Sequence, residues 1–160
     1  MYRVDNQDTV IKLGNLPQSS VGAPLPVVLA SEQDVLLAYY MEEESEDREA
    51  FAIIRFERCI AHMFGPPNDE AFRGHPLATR GLTPYSFFEI QHSSWIRTLE
   101  EMIRVHPYHD SERFLEDKVH FIASFHDSTF ECVAKGYSYE IVRGSMEDAI
   151  RIMAEKVRIG

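Results

Sequence analysis

Between residues 119 and 134, two arms of alternating apolar and polar residues flank a short polar run. Successive side chains of a β-strand point to opposite faces, so alternation with a period of two indicates a strand. The apolar positions are Val119, Phe121, Ala123 and Phe125 in the first arm, and Phe130, Cys132 and Ala134 in the second. The four residues between the arms, His126–Thr129, are typical of a tight turn. The segment therefore predicts a β-hairpin.

The polar turn of this hairpin has two interpretations. Its side chains can bond their own backbone, and turn chemistry alone then explains them. Alternatively, His126, Asp127 and Ser128 form an acid–base cluster at a sheet edge, with Glu131 a little further along the chain. Contiguous His-Asp-Ser does not indicate a catalytic triad, because triads assemble from distant residues and neighbours on a strand face opposite ways. His126, Asp127 and Glu131 are nevertheless candidate catalytic residues.

Length and charge bound the class of protein. A chain of 160 residues is most often one domain, and it can bury a core without a disulfide or a metal. We therefore expect a single globular domain over residues 1–160. The net charge of −10 argues against nucleic acid and against anionic membrane surfaces as partners, because both attract clustered Lys and Arg.

The two cysteines, Cys59 and Cys132, stand in apolar, strand-like segments and belong to no Cys-x-x-Cys pair. Such cysteines behave as small buried hydrophobic residues, and we expect both to be reduced in a cytoplasmic protein. The residues after Met1 lack the apolar core of a signal peptide, and no long apolar run predicts a membrane span.

Further strands and two helices complete the predicted elements. Strand-like segments occupy residues 9–13, 26–30, 35–41, 50–63, 85–91 and 137–142. The acidic run Glu42–Glu49 predicts a solvated loop. An apolar helical stripe begins at Trp95, and a second helix begins at Ser145 with Asp148 as its capping partner. This order indicates an α+β domain. We predict a twisted, mostly antiparallel sheet of about six or seven strands with two main helices packed on it, or a half-barrel.

The segment 65–84 is the longest irregular part of the chain and is rich in Pro and Gly. Twenty irregular residues are uncommon within a compact domain unless they are functional or disordered. Loops on a rigid scaffold often carry binding residues. Arg73, His75 and Arg80 are therefore candidates for binding a ligand or a partner.

The segment His92-Ser93-Ser94-Trp95 precedes the first predicted helix, where free backbone N–H groups can hold an anion. His92 would complete a small pocket as a further candidate catalytic residue, with Ser94 and Trp95 as candidate ligand-binding residues. The alternative is that a serine caps the helix, that Trp95 packs in the core and that His92 ends a strand.

Seven histidines suggest a metal site, but their spacing argues against one. His120 and His126 lie about 20 Å apart on a straight strand and cannot share an ion. His106 and His109 are close, with Asp110 beside them, yet no zinc-binding framework includes them. We predict no metal site. We also predict no cofactor, because the chain has no nucleotide-binding glycine motif.

Three segments resemble parts of a family of uncharacterised bacterial proteins, namely Phe125–Ala134, Ser93–Ile96 and Val105–Pro107. The resemblance extends over most of the chain from about Val27 onward. It implies a bacterial, cytoplasmic origin. It implies no chemistry, because we know of no activity for that family.

Two functions are compatible with these features. The first is a non-catalytic module that binds a protein partner or itself as a homodimer, which the acidic surface, the irregular loop and the tyrosine-rich strands favour. The second is a small enzyme or ligand-binding pocket that uses His126, Asp127 and Glu131 with His92. An enzyme should bring these groups together in a concave pocket, whereas a binding module should expose an apolar patch. We expect the first.

Overall fold

The computed structural model describes residues 2–42 and 49–159. The strands within these residues are β1 (Thr9–Leu13), β2 (Val27–Ala30), β3 (Asp34–Tyr40), β4 (Ala50–Glu57), β5 (Ala61–Gly65), β6 (Phe87–Gln91), β7 (Val119–Ser124), β8 (Thr129–Ala134) and β9 (Gly136–Arg143). The helices are α1 (Ser94–Ile103), α2 (Ser111–Glu116) and α3 (Met146–Lys156), and two short 3-10 turns span Phe72–Gly74 and Ala78–Arg80. The predicted acidic loop lies mostly outside the described residues.

The strands form two antiparallel sheets. The five-stranded sheet has the order β1-β6-β7-β8-β5, and the four-stranded sheet has the order β2-β3-β4-β9. The predicted α+β class with antiparallel pairing is therefore confirmed. The prediction of one sheet with six or seven strands does not match, because the nine described strands divide between two sheets.

Two paired bends carry the chain from one sheet to the other. β4 passes into β5 at Arg58, whose φ of +49° is uncommon for a residue with a side chain. β8 passes into β9 at Lys135, whose N–H donates to the carbonyl oxygen of Glu57 at 2.8 Å. On the other side of the bend, the Ile60 N–H donates to the carbonyl oxygen of Val133 at 2.9 Å. Residues 50–63, predicted as one strand, therefore contribute to two strands, β4 and β5, which lie in different sheets.

Apolar side chains of both sheets meet in a core between them. Phe56 of β4 packs against Phe121 of β7 and Phe130 of β8, with ring centroids 5.6 and 5.3 Å apart. Tyr39 of β3 contacts Phe87 of β6 at 5.5 Å. Aromatic pairs at these separations add to the stabilisation from apolar burial. The apolar face of the predicted hairpin is therefore confirmed as core.

The hairpin β7–β8 is buried on both faces, whereas its alternating pattern predicts one buried face and one exposed face. The N-terminal segment, residues 66–84 and α1 cover its second face. Leu77 clusters with Ile122 of β7, and Trp95 clusters with Val133 of β8. The irregular segment is therefore part of the packed domain, and the polar side chains on this face of the hairpin are enclosed.

The helix α3 covers the outer face of the four-stranded sheet with Ala149 and Met153, which are fully buried. The predicted capping box at its start is confirmed: the Ser145 hydroxyl accepts from the Asp148 N–H at 3.3 Å, and the Asp148 carboxylate accepts from the Ser145 N–H at 2.9 Å. Within residues 2–42 and 49–159, no helix is long and apolar enough to cross a membrane.

Candidate functional site

Glu131 lies on β8 and belongs to a buried polar cluster on the covered face of the five-stranded sheet. Its Oε1 lies 2.5 Å from Nε2 of His75, and its Oε2 lies 2.9 Å from Nε2 of His120. Oε2 also accepts a hydrogen bond from the Tyr2 hydroxyl at 2.7 Å. All four residues are buried. The cluster therefore ties the N-terminal segment and the irregular segment to the hairpin.

The hydrogen bonds that His75 and His120 form through Nδ1 indicate that each ring can donate to Glu131 through Nε2–H. Nδ1 of His75 accepts from the Leu77 N–H at 3.1 Å, so the ring proton is on Nε2 and points at Glu131. Nδ1 of His120 lies 2.8 Å from the Ser93 hydroxyl, which can donate to it while Nε2–H of the same ring donates to Glu131. Three donors therefore converge on one carboxylate.

Burial alone would raise the pKa of the Glu131 carboxyl. Hydrogen bonds from His120 and His75 outweigh burial and lower this pKa from 4.5 to about 2. Burial, and next the charge of Glu131, raise the pKa of the Tyr2 hydroxyl. At neutral pH the carboxylate is therefore ionised and the tyrosine is protonated. Because the cluster is closed to solvent, we interpret its role as stabilisation of the fold. Its hydrogen bonds hold both His75 and Glu131 away from any substrate.

Trp95 packs beside this cluster. Its ring stacks on the ring of Tyr2, with centroids 5.2 Å apart and planes inclined by 10°, and it meets the ring of His120 edge-on at 5.1 Å. The side chain is buried. The arrangement favours the packing interpretation of Trp95 over a role in binding a ligand.

The start of α1 is bonded by a carboxylate of the chain itself. Oδ1 of Asp8 accepts from the Ser94 N–H at 2.7 Å and from the Ser94 hydroxyl at 3.0 Å. The Ser93 hydroxyl accepts from the Ile96 N–H at 3.3 Å as the N-cap. Nη1 of Arg80 donates to the carbonyl oxygen of Asp8 at 3.0 Å. A negative group suits this end of a helix, so Ser94 and Arg80 serve contacts within the fold.

His126 meets Asp69 and Tyr85 at the surface. Nδ1 of His126 lies 3.0 Å from Oδ2 of Asp69 and 3.2 Å from the Tyr85 hydroxyl, which donates to the same Oδ2. Oδ1 of Asp127 lies 3.9 Å from Nε2 of His126. The turn sequence predicts a cluster of His126 with Asp127 and Glu131, whereas the structure joins His126 to Asp69, 57 residues earlier.

The contacts within this surface cluster shift the pKa values of Asp69 and Tyr85. The hydrogen bond from Tyr85 lowers the pKa of the Asp69 carboxyl, and the same contact raises the pKa of Tyr85 to about 12. Because Nδ1 of His126 faces Asp69, Nε2 is the ring nitrogen left for other partners, and the side chain is 41% exposed. A histidine oriented by a carboxylate in this way can act as a general base.

A cavity of about 500 Å³ lies where β6 leads into α1. It is lined by Gln7, Glu89, Ile90, Gln91, His92, Ser93, Ile96, Arg97, Leu115, Lys118 and Val119. His92 is exposed and has a φ of +53°, a conformation in which histidine is enriched among residues with side chains. The structure thus places His92 in a cavity, apart from His126. Arg73 is exposed and forms no ion pair with another described residue.

Residues 104–110 connect α1 with α2 and are held by Glu100. Its carboxylate accepts from Nε and Nη2 of Arg104 at 3.2 and 2.5 Å, lies 3.1 Å from Nε2 of His109, and accepts from the Ser111 hydroxyl. The hydrogen bonds from Arg104 and Ser111 lower the pKa of the Glu100 carboxyl to about 2. One ionised side chain therefore fixes both ends of the connector.

The predictions from the sequence do not include the buried role of Glu100 or the partners Tyr2, Asp69 and Tyr85. For Glu100 a signal was present: it follows Ile96 by four positions and so falls on the apolar side of the predicted helix. For the other three no local signal exists, because their partners are distant in the chain.

Within residues 2–42 and 49–159, no group of three or more His, Cys, Asp or Glu side chains is arranged to hold a metal ion. Comparison of the chain with protein-family models, curated proteins and solved structures gives no match. The resemblance of Phe125–Ala134 to a bacterial family therefore stays a prediction.

Proposed function

We propose that the protein is a non-catalytic, cytoplasmic module that binds a protein partner or a second copy of itself. The observation that carries this proposal is an apolar ridge at the end of α1 and on the connector that follows, formed by Met102, Val105 and Tyr108. Val105 and Tyr108 are 89% and 90% exposed, and Met102 is 64% exposed. Single exposed apolar residues are common, but three in one segment favour a contact surface.

The ridge is held in one shape before any partner binds. Besides the contacts of Glu100, the His106 N–H donates to the carbonyl oxygen of Ile103 at 2.9 Å, and the His109 N–H donates to that of His106 at 3.0 Å. Pre-organisation lowers the conformational entropy lost on association. An exposed tyrosine beside aliphatic side chains is the kind of anchor that dominates binding energy at interfaces.

A hollow of about 300 Å³ lies beside the ridge. Its lining includes Ile103, Tyr108 and Phe114 together with the rings of His106 and His109. Anchoring residues on one protein commonly pair with a pocket on the other. A ridge next to a hollow offers both parts of such a contact within one surface.

The proposal is tested by native mass spectrometry and sedimentation of the wild type, of the double variant Val105→Asp, Tyr108→Asp and of the control Ile150→Asp. Ile150 is an apolar residue of α3 that is 46% exposed, away from the ridge. If the partner is a second copy, we expect a dimer that persists in the control and dissociates in the double variant. An assembly that is the same in all three proteins would contradict this surface.

If the partner is a different protein, we expect one defined protein to copurify in fixed stoichiometry with the wild type and with Ile150→Asp, and not with the double variant. Thermal unfolding of all three proteins shows whether the substitutions leave the fold intact. A monomeric wild type that retains no defined partner would overturn the proposal.

The surface cluster of His126, Asp69 and Tyr85 favours a second candidate function, a small enzyme in which His126 acts as a general base. The supporting observation is the 3.0 Å contact between Nδ1 of His126 and Oδ2 of Asp69, which leaves Nε2 for a substrate. Hydrolysis of p-nitrophenyl acetate tests it. We expect the wild-type rate to fall about a hundredfold or more in His126→Gln and to persist in His106→Gln. Equal rates in both variants would reject the enzyme.

A further inference from the structure

The cavity at the start of α1 has a volume within the range of small-molecule sites. Ile90 and Ile96 form a buried apolar wall, and Val119 is a partly buried neighbour in the lining. Transfer of apolar surface from water to such a wall is favourable. The cavity therefore suits a ligand whose body is apolar.

Lys118 lines the same cavity and carries a charge that the fold leaves unpaired. Among the ion pairs of the described part of the chain, none includes its ammonium, which lies 5.2 Å from the centroid of the Phe114 ring. Burial lowers the pKa of Lys118; Asp117 opposes this effect, while the positive charges of Lys135 and Arg58 add to it. A bound anion would relieve this repulsion, since opposite charges favour each other's ionised forms.

Arg97 adds a second positive group to the lining. Its Nη2 pairs with the Asp5 carboxylate at 2.7 Å and lies 3.8 Å from that of Asp8. Its Nε is buried and has no hydrogen-bond partner among the residues that the structure describes. This Nε is closed to a ligand, but the Arg97 side chain as a whole is 31% exposed, so a ligand carboxylate can contact the accessible part of the guanidinium beside the two aspartates.

Glu89 also lines the cavity and sets a limit on the charge of the ligand. Its carboxylate would repel a second negative charge on a ligand, and repulsion of this kind is how sites reject close analogues. The lining as a whole thus favours one negative charge, an apolar body and no further anionic group.

We propose that this cavity binds a small organic monoanion, a carboxylate with an apolar aliphatic or aromatic body. The carboxylate lies with Lys118 and Arg97, and the body lies against Ile90 and Ile96. Lys118 also borders the hollow beside the ridge, whereas Ile90 and Ile96 line the cavity alone. The proposal goes beyond the proposed function, since the ridge can bind a protein whether or not the cavity is filled.

The test is a titration of the ¹⁵N-labelled protein with octanoate, followed through its backbone amide shifts. We expect saturable shifts confined to residues 89–97 and 115–119. Octanedioate, which carries a second carboxylate, and 1-octanol, which carries none, should each bind about tenfold or more weakly than octanoate. No saturation with octanoate, or saturable shifts confined to the ridge, would overturn the proposal.

Variants separate the contribution of charge from that of shape. Lys118→Met should weaken octanoate binding about tenfold or more and remove the preference over 1-octanol, whereas Lys118→Arg should retain both. Leu115→Trp, which fills the lining, should weaken both ligands alike. The matched control is Lys12→Met, at an exposed lysine of β1, which should bind as the wild type does. Equal octanoate affinity in Lys118→Met and Lys12→Met would overturn the assignment.

Discussion

Replacement of Glu131 measures how much the buried cluster stabilises the fold. In Glu131→Ala, the Nε2–H groups of His75 and His120 and the hydroxyl of Tyr2 lose their acceptor while they stay buried. Each buried polar donor without an acceptor costs about 1–3 kcal/mol, and three such donors lose their acceptor together. We therefore expect the free energy of unfolding to fall by about 3–5 kcal/mol.

Glu131→Gln should be milder, because the cluster can partly adapt to an amide. His75 is fixed as a donor by Leu77, so the amide oxygen takes the place of Oε1. The amide NH₂ can then donate to the oxygen of Tyr2, and to Nε2 of His120 if that ring moves its proton to Nδ1. We expect this variant to lose about 1.5–3 kcal/mol, the value of a hydrogen bond to a charged group.

The loss of stability at acidic pH gives a second, independent measure of what Glu131 contributes to the free energy of unfolding. The pKa of Glu131 is lower in the folded state than its ordinary value of 4.5, so the unfolded chain binds the proton first as the pH falls. The stabilisation from Glu131 is complete above pH 4.5 and is lost as the pH falls towards 2. With a folded pKa of about 2, the loss between pH 5 and pH 3 amounts to about 2 kcal/mol.

Urea denaturation at pH 5 and pH 3, followed by tryptophan fluorescence, measures both effects. Trp95 is the only tryptophan and stacks on Tyr2, so its emission reports on the cluster itself. Between pH 5 and pH 3, the advantage of the wild type over Glu131→Gln should shrink by about 2 kcal/mol. The reasoning is refuted if this advantage stays constant, or if Glu131→Ala costs less than about 1 kcal/mol.

Three further substitutions or treatments address other parts of the fold. Asp8→Ala should lower the free energy of unfolding by about 0.5–2 kcal/mol, the range for loss of a helix cap, as measured by urea denaturation. Arg158→Ala should lower the urea midpoint at pH 7; because Arg158 lowers the pKa of Asp34, the difference from the wild type should shrink as the pH falls below 3.8. Cys59 and Cys132 are buried and free, so both should react with Ellman's reagent in denaturant and remain protected in its absence.

The sequence predicts those features of the fold that depend on neighbouring residues. The alternation over 119–134 predicts the hairpin, and Ser145 with Asp148 predicts the start of α3, because both signals act within a few positions. The division into two sheets could not be predicted this way. It depends on the bend at Arg58 and its pairing with the bend at Lys135, which lies far along the chain.

The candidate site shows the same limit. The turn sequence predicts His126 as a candidate residue, but its carboxylate partner is Asp69, 57 residues away, and local patterns give no information on such a pair. The turn polarity therefore pointed to Asp127, which is adjacent in sequence. Likewise, the burial of Glu131 depends on a cover formed by residues 66–84, whose packing no periodicity predicts.

The pairing of distant strands has a consequence for how the protein folds as it is made. β1 pairs with β6 through Thr9 and Gln91, β4 pairs with β9 through Ala50 and Arg143, and the hydrogen bond from Tyr2 to Glu131 spans 129 positions. Chains dominated by such distant contacts fold in milliseconds to seconds. On the ribosome, β1 stays unpaired until β6 has emerged, and one edge of β4 stays unpaired until β9 has emerged. The interval between synthesis and sheet closure is therefore when this protein is most exposed to aggregation and most dependent on chaperones.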